Sequence, residues 1–157
     1  MTQEEFAGRV VAMQDTLYRV STTILPQLCD REDAVQGAIE KAWRKQAKLR
    51  DDRALQAWVV RILINECYTL LRRRRHEELS DTLPERETAP DAQPDLYQLF
   101  TSLDEKYRLP MVLHYVEGYS VEEAAQMLRL PQGTVKSRLH RGRSLLKDTL
   151  DLEEVRV

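Results

Sequence analysis

A run of basic side chains near the C-terminal end of the chain has the types and spacing that suit contact with nucleic acid. Residues 129–147 hold six lysine or arginine side chains and no acidic one. In a helix, the apolar positions of this stretch share one side and the polar positions share the other. The apolar side comprises Val135, Leu139, Gly142 and Leu146. The outer side comprises Ser137, Arg141 and Ser144, flanked by Lys136, His140 and Lys147 on one edge and by Arg138 on the other. Because arginine and lysine donate to guanine acceptors and phosphates, and serine bonds to either, the pattern predicts a helix that fits the DNA major groove.

The residues before this helix carry the signals of a helix-turn-helix. Ser120 followed by Glu123 predicts a capping box at the start of a short helix, in which two alanines let a second helix approach closely. A short turn ends in Pro131, which is expected at the first position of the second helix. The alternative for residues 120–146 is a solvated amphipathic helix in an all-α domain. The cap, the turn and the cationic face occur together, which favours DNA binding.

A second helix carries a polar stripe that could contact unpaired bases. The stripe comprises Arg61, Asn65, Tyr68 and Arg72, with Trp58 just before it. Cationic, amide and aromatic side chains on one helix face can stack on single-stranded bases and hydrogen-bond to them. On spacing alone, a polar helix face whose last arginines favour the helix C-terminus is the more common explanation.

No grouping of side chains points to catalysis or to a metal site. His76, His114 and His140 are isolated, and the chain has no glycine-rich loop that could cradle a phosphate. Cys29 and Cys67 are far apart and have no cysteine or histidine at ligand spacing. We therefore expect two reduced, partly buried thiols, and a protein that is not an enzyme and holds no cofactor or metal.

The overall composition is typical of a globular protein that is not itself strongly basic. Of 157 residues, 42% are hydrophobic and 32% charged, and the net charge is −2. The first twenty residues carry charges throughout and lack the apolar segment of a signal peptide. No apolar run approaches the roughly 20 residues that span a membrane. We expect a cytoplasmic protein without membrane insertion.

Helical periodicity in the first half of the chain predicts three helices. Residues 3–24 are expected to form one amphipathic helix that ends before Pro26, and Asp30 is expected to cap the next helix. A charged loop follows at residues 48–53. A long helix is expected from about residue 54 to residue 77.

The second half of the chain begins with a change in composition. Residues 77–95 hold seven acidic residues, three prolines and a single basic residue, Arg86, which predicts a flexible acidic linker. This linker is either a spacer or a segment that lies in a basic groove of a partner. After it, Asp104 is expected to begin a helix, Pro110 to kink it or to lie close to a helix start, and Gly118 to end it.

These elements predict an all-α fold of two small helical domains joined by the linker. Residues 1–76 are expected to form a three- or four-helix bundle. Residues 96–157 are expected to form a four-helix domain that contains the helix-turn-helix, with residues 77–95 between the two domains.

Two blocks of the chain resemble the extracytoplasmic-function (ECF) subfamily of bacterial sigma factors. DAVQGAIEKAW at residues 33–43 and AWVVRILINECYTLLRRRR at residues 57–75 resemble sigma region 2. Residues 97–150 resemble sigma region 4, above all in GYSVEEAAQML and GTVKSRLHRGRSLL. The resemblance implies a non-catalytic specificity subunit that binds core RNA polymerase, through the β′ clamp helices and the β-flap, and promoter DNA. It also implies an anti-sigma factor as a partner.

The resemblance assigns roles to individual residues. Binding to the β′ clamp helices maps to Asp33, Gln36 and Glu40. Melting and capture of the −10 element map to the loop at residues 48–53 and to Trp58, Arg61 and Asn65, and the stripe adds Arg72. Reading of the −35 element maps to Lys136, Ser137, His140 and Arg141, with Arg138 on a phosphate.

The chain departs from the family's pattern at three places. Gly37 stands where family members often have glutamate. Trp58 is followed by Val59, whereas housekeeping sigma factors have two aromatics at the duplex-melting position. This difference implies weak melting of imperfect promoters and stringent promoter choice. The loop at residues 47–56 lacks an aromatic residue, so the base that it captures stays open.

Two other functions fit the sequence. A stand-alone helix-turn-helix regulator with a partner-binding N-terminal domain would bind duplex DNA tightly without polymerase, usually as a dimer. A protein-interaction adaptor with the same fold would not contact DNA at all.

Overall fold

The computed structural model describes residues 1–77 and 99–155, with side chains described up to residue 149. Every regular element within these ranges is helical, as the sequence predicts. The chain divides into two compact units, Met1–Ala89 and Pro90–Val157, and each is considered by itself. The acidic stretch at residues 77–95 lies outside the described residues except for Glu77.

Within residues 1–77, the first unit contains four α-helices around one apolar core. They are α1 (Gln3–Ala12), α2 (Gln14–Ile24), α3 (Leu28–Arg44) and α4 (Leu55–Glu77). The long helix α4 packs against both α2 and α3. The interior of the unit includes Leu17, Val20, Leu25, Val35, Leu55, Val59, Leu63 and Cys67, all fully buried. This packing leaves the outer faces of α3 and α4 accessible.

The helix predicted over residues 3–24 is divided in two at Met13. The backbone of Met13 departs from helical geometry, with φ −99° and ψ 13°, and its N–H bonds to the carbonyl of Val10 at 3.2 Å. Phe6 in α1 and Leu17 in α2 are both buried, on either side of this break. Periodicity alone did not reveal the break, because the apolar positions keep helical spacing across it.

The start of α3 differs from the prediction, because Asp30 does not cap the helix. The helix begins at Leu28, and Asp30 is buried in its first turn. Its carboxylate accepts two hydrogen bonds from Arg74 at the end of α4, at 2.9 Å from Nε and 3.0 Å from Nη2. Hydrogen bonding to Asp30 raises the pKa of Arg74 above its ordinary value. The pair joins the first turn of α3 to the last turns of α4.

The connection between α3 and α4 contains two short 3₁₀ turns, at Gln46–Lys48 and Asp52–Ala54. Asp51 caps the second turn, since its carboxylate accepts from the backbone N–H of Arg53 at 3.0 Å. That hydrogen bond, with a second from the Arg53 side chain, lowers the pKa of Asp51. The charged loop predicted at residues 48–53 is therefore a locally ordered turn.

Within residues 99–155, the second unit contains helical residues 99–101 and three further helices. They are α5 (Glu105–Met111), α6 (Val121–Leu128) and α7 (Gln132–Val155), and a π-helical turn, Val112–Val116, follows α5. Asp104 caps α5, and Gly118 has the positive φ of 76° that the prediction of a terminator requires. Pro110 lies inside α5, and the backbone widens into the π turn two residues later. The missing N–H of proline removes one helical hydrogen bond, which eases this change of geometry.

Helices α5 and α7 pack closely where Gly142 faces Met111. A Cβ atom on Gly142 would lie 3.0 Å from both Cγ and Sδ of Met111, so glycine allows the approach. The core around this contact includes Phe100, Leu103, Leu109, Val112, Leu113, Ala124, Met127, Val135 and Leu139. Within residues 1–77 and 99–155, no helix combines the length and apolar character needed to cross a membrane.

Candidate nucleic-acid interface

The predicted helix-turn-helix is formed by α6, a three-residue turn and α7. Ser120 Oγ accepts from the N–H of Glu123 at 3.0 Å, and the Glu123 carboxylate accepts from the N–H of Ser120 at 3.2 Å, which completes the capping box. Arg129 ends α6 in the left-handed region with φ 56°. Pro131 precedes the first residue of α7 and accepts from the N–H groups of Thr134 and Val135. The helix therefore begins one residue later than predicted, and Pro131 lies just before it.

Small and apolar residues hold α7 against α6. Ala124 and Ala125 are buried on the inner side of α6, and Val135 and Leu139 are buried on the facing side of α7. Alanine leaves room for the close approach that the sequence suggested. The outer face of α7 consequently points away from the core of the unit.

That outer face is polar and cationic. Lys136, Ser137, His140 and Arg141 are exposed, and Arg138 is half-buried. The structure thus brings the five predicted −35 contacts together on one side of α7. Donors for guanine acceptors and for phosphates are accessible there without any rearrangement of the core.

A shallow groove of about 300 Å³ lies beside this face, between α7 and α5. Ser137, Arg138 and Arg141 line it from α7, and Lys106 and Tyr107 line it from α5. The ammonium group of Lys106 lies 5.0 Å from the centre of the Tyr107 ring. Sequence reasoning missed both α5 residues, because only the packing of α5 on α7 brings them next to the recognition face.

One cation of the basic run has a partner within the unit. The Arg143 Nη1 atom donates to the hydroxyl of Tyr115 at 2.6 Å, which joins α7 to the π turn. The ring of His114 packs edge-on against Tyr115, and its Nδ1 lies 2.7 Å from the carbonyl of Tyr119. Arg143 therefore links α7 to the π turn.

The polar stripe predicted on the first unit lies along one side of α4. Asn65 and Arg72 are exposed, whereas Trp58, Arg61 and Tyr68 are half-buried. A half-buried tryptophan and an exposed amide on one helix face, about two turns apart, can present an aromatic edge and a hydrogen-bonding group to unpaired bases. The face suits single-stranded nucleic acid, and its charge is moderate.

The third predicted surface lies on α3. Asp33, Gln36 and Glu40 are all exposed and share one face of the helix. On the flank of this face that lies toward α4, Lys41 forms an ion pair with Glu66 of α4. Sequence reasoning did not single out Glu66, since its position over α3 depends on how the two helices pack.

The two cysteines are both free thiols, but only one is buried. Burial raises the pKa of Cys67 to about 12, with a smaller contribution from the charge of Glu66. Cys29 is exposed, and its sulfur lies 3.6 Å from Arg74 Nη2. The expectation of partly buried thiols is thus correct for Cys67 and wrong for Cys29. The described residues contain no cluster of three or more side chains that could hold a metal ion.

Comparison with protein families finds two matches along the chain. Residues 10–77 match the model for Sigma-70 region 2, and residues 94–146 match the model for Sigma-70, region 4. The two matches cover the surfaces on α3, α4 and α7.

Individual relatives match over nearly the whole chain. The RNA polymerase sigma-E factor of Streptomyces coelicolor is 32% identical over 152 residues, which are 93% of this chain and 86% of the relative. The ECF RNA polymerase sigma factor SigW of Bacillus subtilis is 27% identical over 168 residues, 94% of this chain and 90% of SigW.

Solved structures show the same likeness. The sigma factor RpoE in complex with the anti-sigma factor NepR, from Bartonella quintana, superposes with a TM-score of 0.81 at 28% identity, over 94% of this chain and 98% of RpoE. CnrH in complex with the cytosolic domain of CnrY superposes with a TM-score of 0.72 at 26% identity, over 96% of this chain and 90% of CnrH.

Proposed function

The chain belongs to the extracytoplasmic-function subfamily of RNA polymerase sigma factors, and we propose that it grips a promoter at two places, one on each unit. As a sigma factor it binds core RNA polymerase and directs promoter-specific initiation of transcription. The observation that carries the proposal of two grips is the presence of two separate nucleic-acid-type faces, on α4 and on α7.

On the second unit, α7 lies in the major groove of the −35 element. Lys136, Ser137, His140 and Arg141 contact base edges, and the half-buried Arg138 contacts a phosphate. Lys106 continues this cationic surface across the groove to α5, where it reaches the sugar–phosphate backbone. Base contacts supply the choice of sequence, and phosphate contacts set the register of the helix on the duplex.

On the first unit, α4 handles the −10 element as it opens. Trp58 stacks at the edge of the melted duplex, Asn65 hydrogen-bonds to a displaced base, and Arg61 and Arg72 hold the strand backbone. The turns at residues 48–53 lie next to the start of α4 and supply the contact that captures an unpaired base. With one aromatic at the melting position, the chain depends on promoters that match it well.

The exposed face of α3 docks on the polymerase. Asp33, Gln36 and Glu40 contact the β′ clamp helices, and the second unit contacts the β-flap.

The protein supplies specificity and no catalysis, and it acts in the cytoplasm, where the polymerase meets the chromosome. We assign residues 1–76 to the domain that contacts the −10 element and residues 96–157 to the domain that contacts the −35 element, with the acidic residues 77–95 between them.

The free protein is held inactive by an anti-sigma factor. Two structural neighbours support this part of the proposal: RpoE, which is bound to the anti-sigma factor NepR, and CnrH, which is bound to the cytosolic domain of CnrY. A soluble partner segment that covers the α3 or α7 surface would block polymerase or DNA.

Run-off transcription with purified core polymerase and a library of genomic fragments tests the proposal. Core enzyme with the chain is expected to give discrete transcripts that core enzyme alone does not give. An absence of promoter-specific transcripts would contradict the sigma assignment for this chain. Tight duplex binding by the chain alone as a dimer would favour the stand-alone regulator. Transcripts unchanged by Lys136→Ala and Arg141→Ala would favour an adaptor without DNA contact.

A further inference from the structure

The side chain of Glu66 crosses from α4 to α3 at the one glycine of α3. A Cβ atom placed on Gly37 would lie 3.2 Å from Oε2 of Glu66 and 3.8 Å from its carboxyl carbon. The other carboxylate oxygen, Oε1, accepts from Nζ of Lys41, one turn further along α3. The carboxylate therefore lies against Gly37, closer than it could comfortably lie to a residue with a Cβ atom.

Position 37 borders the exposed face of α3. At 100° per residue, it lies about 40° from Asp33 and about 60° from Glu40, on the flank toward α4. The burial along α3 agrees with this register, since Asp33 and Glu40 are exposed and Gly37 and Lys41 are intermediate. The carboxylate of Glu66 thus continues the face formed by Asp33, Gln36 and Glu40, although it belongs to another helix.

Part of the Glu66 side chain remains accessible to a partner. Its side chain remains 19% exposed, and that of Lys41 remains 43% exposed. Within residues 1–77 and 99–149, the hydrogen bond from Lys41 is the one found for this carboxylate, and it engages Oε1. Oε2 can therefore accept a hydrogen bond from a group that approaches α3 from outside.

We propose that Glu66 is part of the surface that docks on the polymerase. Gly37, which has no Cβ atom, leaves room for the Glu66 carboxylate, and Lys41 holds that carboxylate in position. The proposal rests on the proposed role of α3 in polymerase docking and adds a specific contact to it. The partner is a cationic or N–H donor side chain on the docking helices of the polymerase, which approaches Oε2 beside Asp33 and Glu40. A charge-assisted hydrogen bond at this place strengthens binding and fixes the rotation of α3 on its partner.

The test measures the affinity of the full chain for purified core polymerase, together with the unfolding temperature of each variant. Glu66→Gln removes the charge and nearly preserves the shape, and it should weaken core binding by about tenfold, as expected for one charge-assisted hydrogen bond. Gly37→Ala keeps Glu66 but displaces its carboxylate by a few tenths of an ångström, while alanine favours the helix. It should therefore lower core affinity without lowering the unfolding temperature.

A double-mutant cycle separates docking from a purely structural role. In a Glu66→Ala background, Gly37→Ala should have no further effect on core affinity, because the displaced group is gone. Asp33→Asn serves as the reference for the docking face, and Arg9→Ala on α1 as a control for an exposed charge elsewhere on the unit.

The possible outcomes are distinct. If Asp33→Asn weakens core binding and both Glu66→Gln and Gly37→Ala leave it unchanged, Glu66 is not a docking residue and the docking role of α3 stands. If Asp33→Asn also has no effect, the docking role of α3 and the inference both fail. A lower unfolding temperature for Glu66→Gln with unchanged core affinity would make the Lys41–Glu66 pair structural only.

Discussion

At the scale of single residues, the side chains that protrude from helices were predictable and the buried polar ones were not. Lys136, Ser137 and Arg141 lie where helical register puts them, because an exposed position on a helix is decided locally. Asp30 was expected to be a cap and instead pairs with Arg74, which lies 44 residues away in sequence. Residue spacing along the sequence cannot predict such a partner, because the pair forms only when α3 and α4 pack together.

The first residue-scale prediction concerns reading of the −35 element. Arg141→Ala and Lys136→Ala should each reduce discrimination at one base pair by about 1–3 kcal/mol, because an exposed cation on α7 loses its contact with a base edge. Transcription from promoters altered one base pair at a time in the −35 element measures this effect. Arg9→Ala should leave the base preferences intact. Equal loss on every sequence would instead make the two side chains phosphate contacts.

The second residue-scale prediction concerns the thiols. Because the pKa of Cys67 is raised to about 12, its thiol stays protonated and protected in the folded chain, whereas the exposed Cys29 is accessible to a thiol reagent. Titration with an aromatic disulfide at pH 8 should show one fast thiol, and Cys29→Ser should abolish the fast phase. A fast phase that survives in Cys29→Ser would show that Cys67 is reachable.

The same pKa shift has a consequence for stability. Above pH 9 the unfolded chain loses the Cys67 proton, while the folded chain keeps it until about pH 12. The folded state then binds more protons than the unfolded state, so the free energy of unfolding falls as pH rises between these values. Cys67→Ala should reduce this decline, which urea unfolding across the alkaline range would measure.

At the scale of elements, the prediction of helices was correct in type and less accurate at the ends. The capping box at Ser120 and the terminator at Gly118 lie where they were predicted, and the helix predicted to begin at Asp104 begins one residue later, since each depends on a few neighbouring residues. The break at Met13 was missed, because it is a local turn that keeps the apolar register. The contact of Lys106 with the α7 groove also needed the packed structure.

The prediction at the scale of elements concerns the ion pair of Asp30 and Arg74, which joins α3 to α4. Asp30→Asn weakens both hydrogen bonds to Arg74, whose side chain is 39% exposed, so solvent screening limits the loss. We expect the first unit to be destabilised, because Asp30 is buried and loses its charge-assisted hydrogen bonds. Hydrogen exchange at the hydrogen-bonded amides in the middle of α3 measures the effect. Arg73→Gln, an exposed neighbour on α4, is the matched control and should have no comparable effect.

At the scale of the whole molecule, two matching regions in this order in one chain are more specific for the family than either region alone. A helix-turn-helix occurs in many regulators, and a four-helix bundle in many more proteins. The net charge of −2 is consistent with a factor that depends on polymerase, because the free chain has no large uniform field for DNA. Because docking on the polymerase and opening of the DNA strands are assigned to different residues, we expect mutations to separate these two activities.

Asn65→Ala tests that separation. Asn65 is exposed on α4 and is not among the residues proposed to dock on the polymerase, so its loss should impair open-complex formation and leave core affinity unchanged. Permanganate reactivity of unpaired thymines reports opening, and a binding titration reports core affinity. A fall in core affinity would mean that this face of α4 belongs to the polymerase interface.

The most direct test of the two-grip account is a footprint of one promoter with the chain alone and with the reconstituted holoenzyme. We expect two protected stretches in the holoenzyme. The upstream stretch is duplex and is lost in Lys136→Ala/Arg141→Ala, and the downstream stretch contains unpaired bases. At the same concentration, the free chain should protect neither. Full protection of a duplex site by the free chain, unchanged when core polymerase is added, would contradict the account.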